Sequence, residues 1–197
     1  MKLYIFAFLL AFISLDEAFA QQFTKIDETA FKPGEALHYK LKYCIFTAAE
    51  ANIRVEESPL KFEGNPVYHI VAEGKTAGTF ELLYKVRNRY ETYINETTLL
   101  PYFYAENRRE SSYRHSDNVT FKRNNHTIKA AKGVFPFTGD VFDFVSAYYF
   151  ARCIDVSKLH IGEKLDMQYF LEDGVHILSI TYLGKERVKC SMGTFDC

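Results

Sequence analysis

The chain has 197 residues, 48% hydrophobic and 25% charged, with 24 Lys and Arg against 25 Asp and Glu. That length suits one domain with an ordinary core. A net charge of -1 supplies no broad basic field, so nucleic acid is not an expected partner.

The N-terminus reads as a targeting segment. Met1-Lys2 is positive, Leu3 to Leu15 is an apolar run, and Ala18-Phe19-Ala20 has the A-x-A form of a cleavage site. Residues 1–20 are therefore read as a signal peptide, with Gln21 the mature N-terminus. The run is short for a membrane span, which makes a retained anchor the weaker reading. No later segment is apolar enough to span, so the mature protein is expected to be exported and not membrane-spanning.

From Phe31 the pattern is almost all strand, and aromatics at 16% suit strands. In "FKPGEALHYKLKY" a Pro-Gly turn precedes Leu37, Tyr39, Leu41 and Tyr43 at period two. "AEANIRVEES" repeats the alternation, and Gly64-Asn65-Pro66 breaks it. "VYHIVAEG" and "TFELLYKV" read as strands, as do "NRYETYI" and "YFYAENRRE" on either side of a turn-rich connector. "SSYRHSDNVTFKRNNHTIKAA" gives two short strands around Asn124-Asn125. Residues 163–195 hold three or four more, with a hairpin signal at Asp173-Gly174.

Residues 139–155, "GDVFDFVSAYYFARCID", break this rhythm and support helical spacing, with Phe142, Val145, Tyr148, Tyr149 and Arg152 on one side. Asp140 is the expected N-cap, and Arg152 suits the C-terminal end of the helix dipole. A helix apolar nearly all round needs cover, so it is placed across the mouth or along the wall of the sheet. The expected fold is mainly β: an antiparallel curved sheet or barrel of about ten strands with one helix packed on it. Residues 21–197 form a single β-rich domain in this reading. Cys197 falls inside an apparent strand, which would leave an unpaired edge, so the last strands are expected to be missing from this sequence.

Chemical motifs are weak. Gly74-Lys75-Thr76 carries the end of a phosphate-binding loop, but His69 stands where the first glycine belongs, and the expected strand after it is not a helix. A chance match in a hairpin turn explains it better. The six histidines, His38, His69, His115, His126, His160 and His176, show no metal-ligand spacing, so no metal or other cofactor is expected. A site assembled from distant strands stays open. His38, His69 and His176 are expected on the solvated face. No G-x-S-x-G elbow exists, and Ser146 lies within the predicted helix. The pairs Asp140/Asp143 and Glu56/Glu57 fit a helix start and a solvated strand end. Cys44, Cys153, Cys190 and Cys197 form no C-x-x-C pair and are read as buried thiols. A turn at Met192-Gly193 would set Cys190 opposite Phe195 and Val188 opposite Cys197, a diagonal near the limit for a disulfide. Sequons stand at Asn95, Asn118 and Asn125.

Several stretches together, "FKPGEALHYKLKY", "AEGKTAGTFELLYKVRNRYETYINETTLLPYFYAEN", "DVFDFVSAYYFAR" and "GKERVKCSMGTFDC", resemble a family of bacterial exported proteins catalogued as domain of unknown function 3108. The likeness runs from about Phe31 to Cys197. It implies a Gram-negative, Bacteroidetes-like source, a periplasmic location, a barrel-like antiparallel fold and further residues beyond Cys197. It supplies no activity, substrate or catalytic residue. Within the helix motif, Asp143, Ser146, Tyr149 and Arg152 look like recurring polar positions, either ligand-binding or, preferably, helix-anchoring. The leading functional expectation is a non-catalytic protein that binds or carries an envelope lipid or glycan in the mouth of the sheet, under the helix as a lid. The second is an interaction or assembly protein of outer-membrane or surface-polysaccharide machinery. A hydrolase is third, and would need two or more of Asp140, Asp143, His160 and Arg152 to converge in a cleft.

Overall fold

The computed structural model describes residues 30–190 and 193–197, so the expected signal peptide and the Ser191-Met192 pair lie outside the described residues. The strands are β1 (Ala36–Tyr43), β2 (Phe46–Phe62), β3 (Asn65–Thr76), β4 (Val86–Asn95), β5 (Pro101–Glu110), β6 (Tyr113–Lys122), β7 (Thr127–Ala130), β8 (Gly133–Pro136), β9 (Val141–Phe142), β10 (Lys164–Leu171), β11 (Gly174–Thr181), β12 (Arg187–Cys190) and β13 (Gly193–Asp196). A single helical turn, α1 (Phe80–Leu83), lies between β3 and β4, and the main helix, α2 (Phe144–Arg152), follows β9.

Strands β1 to β8 form one sheet in sequence order, each antiparallel to the next. Short reversing connections favour this meander because consecutive strands pair with little loop entropy. Among the described residues β1 and β8 do not meet, so of the two forms expected from sequence, curved sheet or barrel, the sheet is the open one. A second sheet orders β11, β10 and β9, with β9 parallel to β10, and β12 and β13 make a separate hairpin.

Alternation gives the large sheet two different faces. In register, Val55, Ile70, Thr92, Tyr104 and Val119 form a row across five strands. This face is covered. Its core joins Phe121, Ile128 and Phe137 to Val145, Tyr149 and Cys153 of the α2 region and to Phe170 of β10. Phe121 meets Phe170 edge-on at 6.4 Å, one of the contacts that join the two sheets. Arg123 stitches the same junction: its guanidinium donates to the carbonyls of Pro101 and Val141 and lies 5.4 Å from the Phe121 and Phe137 rings. Burial pulls its pKa down to about 10.

Several local expectations need correction. "TFELLYKV" alternates like a strand, yet Phe80–Leu83 make a helical turn and β4 starts only at Val86. This segment carries the chain from β3 back to β4, and Gly78 at φ +57° begins the reversal. Gly74-Lys75-Thr76 is in β3, not in the turn: Gly74 pairs with Asn88 and Lys75 with Arg87. The helix is shorter than residues 139–155, because Val141 and Phe142 use their backbone groups to pair with β10. Its N-cap is Asp143, not Asp140. In the β10–β11 hairpin Leu171 pairs with Gly174, so the turn falls on Glu172-Asp173. In the last hairpin Cys190 opposes Gly193, and Val188 opposes Phe195. All four cysteines are free, and of the four only Cys153 is buried; Cys44 is exposed in the β1–β2 turn, and Cys190 and Cys197 are exposed in the β12–β13 hairpin region.

Truncating Phe121 to Ala removes a fully buried ring from the junction of the two sheets. Urea denaturation should show a loss of roughly 3–5 kcal/mol, and a loss below 1 kcal/mol would contradict the packing described.

Candidate functional site

Two polar arrangements stand out, one on each face of the large sheet. On the covered face, Asp143 begins α2. Its Oδ1 accepts from the backbone N–H of Val145 at 2.8 Å and of Ser146 at 2.9 Å. Ser146 Oγ accepts from the Asp143 N–H at 2.9 Å, which completes a capping box. Thr92 Oγ1, from β4, donates to Asp143 Oδ2 at 2.6 Å. Burial raises the Asp143 pKa, against the opposing pull of these hydrogen bonds.

The other end of α2 is tied by a second charged contact. Arg152 holds Glu35 in a fork, Nη1 to Oε1 at 2.7 Å and Nη2 to Oε2 at 2.8 Å. The Tyr149 hydroxyl donates to the same Oε1 at 3.2 Å. Hydrogen bonding from Arg152 holds Glu35 below the usual carboxylate range. The Tyr148 hydroxyl adds a 2.8 Å bond to Tyr39 of β1.

The four helix positions named from sequence thus form two pairs, Asp143 with Ser146 and Tyr149 with Arg152. Each pair is engaged with a partner that sequence reasoning missed, Thr92 in one case and Glu35 in the other. The strand pattern could have flagged Thr92, a polar residue in a row otherwise apolar from Val55 to Val119. Glu35 carries no such signal, since it sits in an ordinary turn. The hydrolase set does not converge. Asp143 faces Thr92, Arg152 faces Glu35, and His160 is exposed beside Glu163.

The opposite face is open and concave. Side chains of β2 to β6 line one groove of about 850 Å³. Register explains its composition: Asn52, Glu73, Arg89, Asn107 and Ser116 form one row across it. Arg89 is held from two sides, with Nη1 on Glu73 at 2.7 Å and Nε on Glu91 at 2.8 Å. Arg54 reaches Glu73 at 3.1 Å. Hydrogen bonding from Arg89 lowers the pKa of both Glu73 and Glu91. The next row ends on Arg109 and Arg114, which bond to Asn107 and to backbone carbonyls rather than to carboxylates. Beyond the groove on this face, His69 lies between Glu56 at 3.3 Å and Glu91 at 2.9 Å, and its ring stacks on Tyr93. The helix lies on the far side of the sheet, so it is no lid over this groove.

The fold defines the chain as a mainly β protein: an open antiparallel meander with a capped helix on one face and a polar groove on the other. Residues 37–197 match the model of the family described as a protein of unknown function, DUF3108, and the chain belongs to that family. No curated protein and no solved structure matches it at a significant level. Among the described residues no helix is long and apolar enough to cross a membrane.

Two substitutions test the helix anchors. Asp143→Ala should cost about 2–3 kcal/mol, from a lost cap and an unsatisfied Thr92 hydroxyl, as read by urea denaturation. For Glu35, a lowered folded pKa means its stabilisation is present above the unfolded value and disappears as pH falls through the folded one. Glu35→Gln should therefore flatten the loss of stability below about pH 4.5. An acid limb as steep as that of the unmodified protein would contradict the Arg152 contact.

Proposed function

We propose that this chain is an exported, periplasmic, non-catalytic binding protein whose ligand is a polar envelope glycan held in the groove on the open face of the sheet. One observation carries the reading: side chains from five consecutive strands converge on a single groove as alternating donors and acceptors. Asn52, Asn107, Ser116 and Asn118 offer neutral hydrogen-bonding groups, while Arg87, Arg89 and Arg109 offer guanidinium groups. Hydroxyl-rich ligands suit such a comb, and an acyl chain does not. Arg109 in the groove and Arg114 beside it, without carboxylate partners among the described residues, favour an acidic sugar such as a uronate or a phosphorylated unit. The location rests on the N-terminal sequence and the family resemblance.

The groove's electrostatics support binding over catalysis. A general acid needs a raised pKa. Glu73 and Glu91 are both pulled the other way by Arg89, and Asp143, the carboxyl raised among the described residues, is buried at the start of α2. Arg89 is preorganised by its two carboxylates, which limits the entropy lost when a ligand orders it.

A second reading, an interaction protein of envelope machinery, has its own observation. Leu41, Tyr43, Ile45 and Phe46 at the β1–β2 hairpin, with Leu82 and Leu83 of α1, are exposed apolar groups near β1, an edge strand of the sheet among the described residues. Tyr43 meets Phe80 edge-on at 6.4 Å, so the two apolar segments adjoin. An extended segment of an envelope protein could add to β1 there.

Binding of acidic and neutral oligosaccharides from envelope preparations can be read by isothermal titration. Arg89→Ala and Asn107→Ala should each weaken binding by about tenfold or more, with the urea midpoint nearly unchanged because the lost ion pairs are half-exposed. Binding that is indifferent to both substitutions would reject the groove as the site.

A further inference from the structure

A third polar cluster shares Glu106 with the lining of the groove but is otherwise separate from both arrangements. It gathers Glu106 of β5, His115 of β6 and Glu172 of the β10–β11 turn, with their ligand atoms all within 4.8 Å of one another. None of the three is fully exposed. Glu106 and His115 belong to neighbouring rows of the covered face, near the β5–β6 turn. Glu172 reaches them from the other sheet, at a turn position with φ +36°.

His115 Nε2 is the unusual atom. It is sealed from solvent and has no hydrogen-bond partner, although Glu106 Oε1 lies 2.8 Å away. A contact that close can fail as a hydrogen bond only through its direction. A buried ring nitrogen beside two carboxylates, without a well-directed bond, has the environment of a metal ligand. The surroundings orient the set. The Tyr104 hydroxyl donates to Glu106 Oε2 at 3.0 Å, and the Tyr113 ring lies parallel to His115.

We propose that Glu106, His115 and Glu172 bind a first-row divalent cation such as zinc, with water at the remaining position. One imidazole and two carboxylates are an ordinary nitrogen–oxygen donor set for this ion. Two negative charges and a neutral ring match a dication. Ligand atoms around tetrahedral zinc stand about 3.3 Å apart, a spacing between the 2.8 Å His115–Glu106 contact and the 4.8 Å bound on the whole set. Lys132 Nζ, 3.0 Å from Glu172 Oε2, competes with the ion for that carboxylate, and Arg108 at 3.9 Å does so more weakly. Lys132 is half-exposed and can swing into water as the ion enters. The bound ion would clamp the β10–β11 hairpin to the edge of the large sheet. This inference is independent of the glycan reading.

The test must exclude the exposed thiols, which also take zinc. Cys44, Cys190 and Cys197 are therefore replaced by Ser, and zinc is titrated into the otherwise complete chain by calorimetry. One equivalent should bind. His115→Ala should weaken that site by more than about tenfold, with far-UV circular dichroism confirming that the variant folds. Lys132→Ala should tighten it by about threefold or more, a change that a purely structural ion-pair network would not produce. Cobalt(II) in place of zinc should give a visible absorption that disappears in His115→Ala. No binding by the chain with these three cysteines replaced, binding that survives His115→Ala, or weaker binding in Lys132→Ala would each overturn the proposal.

Discussion

The Asp143 carboxylate is the contact on which the arrangement of this molecule depends. One oxygen completes the first turn of α2, and the other accepts the hydroxyl of Thr92 from the middle of the large sheet. A single side chain thereby starts the helix and docks it. The carboxyl is fully buried, so each of these bonds offsets part of the desolvation penalty. With the helix fixed at this end, Tyr149 can enter the core and Arg152 can reach Glu35 ahead of β1. The β1 end and centre of the sheet are thus spanned by one short helix.

Docking α2 on one face also decides what the other face becomes. Strand alternation sends Val55, Ile70 and Tyr104 toward the helix, and therefore sends Arg54, Glu73, Arg89 and Asn107 outward. Five antiparallel strands in register align those outward residues into rows. Their mutual ion pairs contribute little to stability individually, being half-exposed. Their consequence is geometric, because guanidinium groups held between carboxylates present donors in fixed directions. Long charged side chains also cover apolar atoms, and Val71 is buried on this open face between Arg54 and Glu91.

Much of the fold was legible in the sequence, and the failures have physical causes. Period-two patterns located most of the long strands of the meander, and the aromatic segment after Gly139 located the helix. The alternating "TFELLYKV" misled because periodicity does not say whether a segment has a strand partner; the Phe80–Leu83 portion has none. The N-cap was misplaced by three residues because β9 is only two residues long, and its pairing with β10 is a long-range fact. Closure into a barrel depends on whether β1 meets β8, which no local pattern encodes. Asp143, Ser146, Tyr149 and Arg152 were visible as polar positions in an apolar helix. Their partners Thr92 and Glu35 lie 51 and 117 residues away in sequence from Asp143 and Arg152. The groove was missed for a related reason: its residues look like ordinary solvated positions strand by strand, and only register brings them into one row.

Native mass spectrometry of the protein purified gently from the periplasm of its host tests the central claim most directly. The account predicts a reproducible added mass that resolves into sugar units, acidic ones among them, and that is lost in Arg89→Ala. An added mass that fragments into acyl chains, or a bare chain in every preparation, would contradict it.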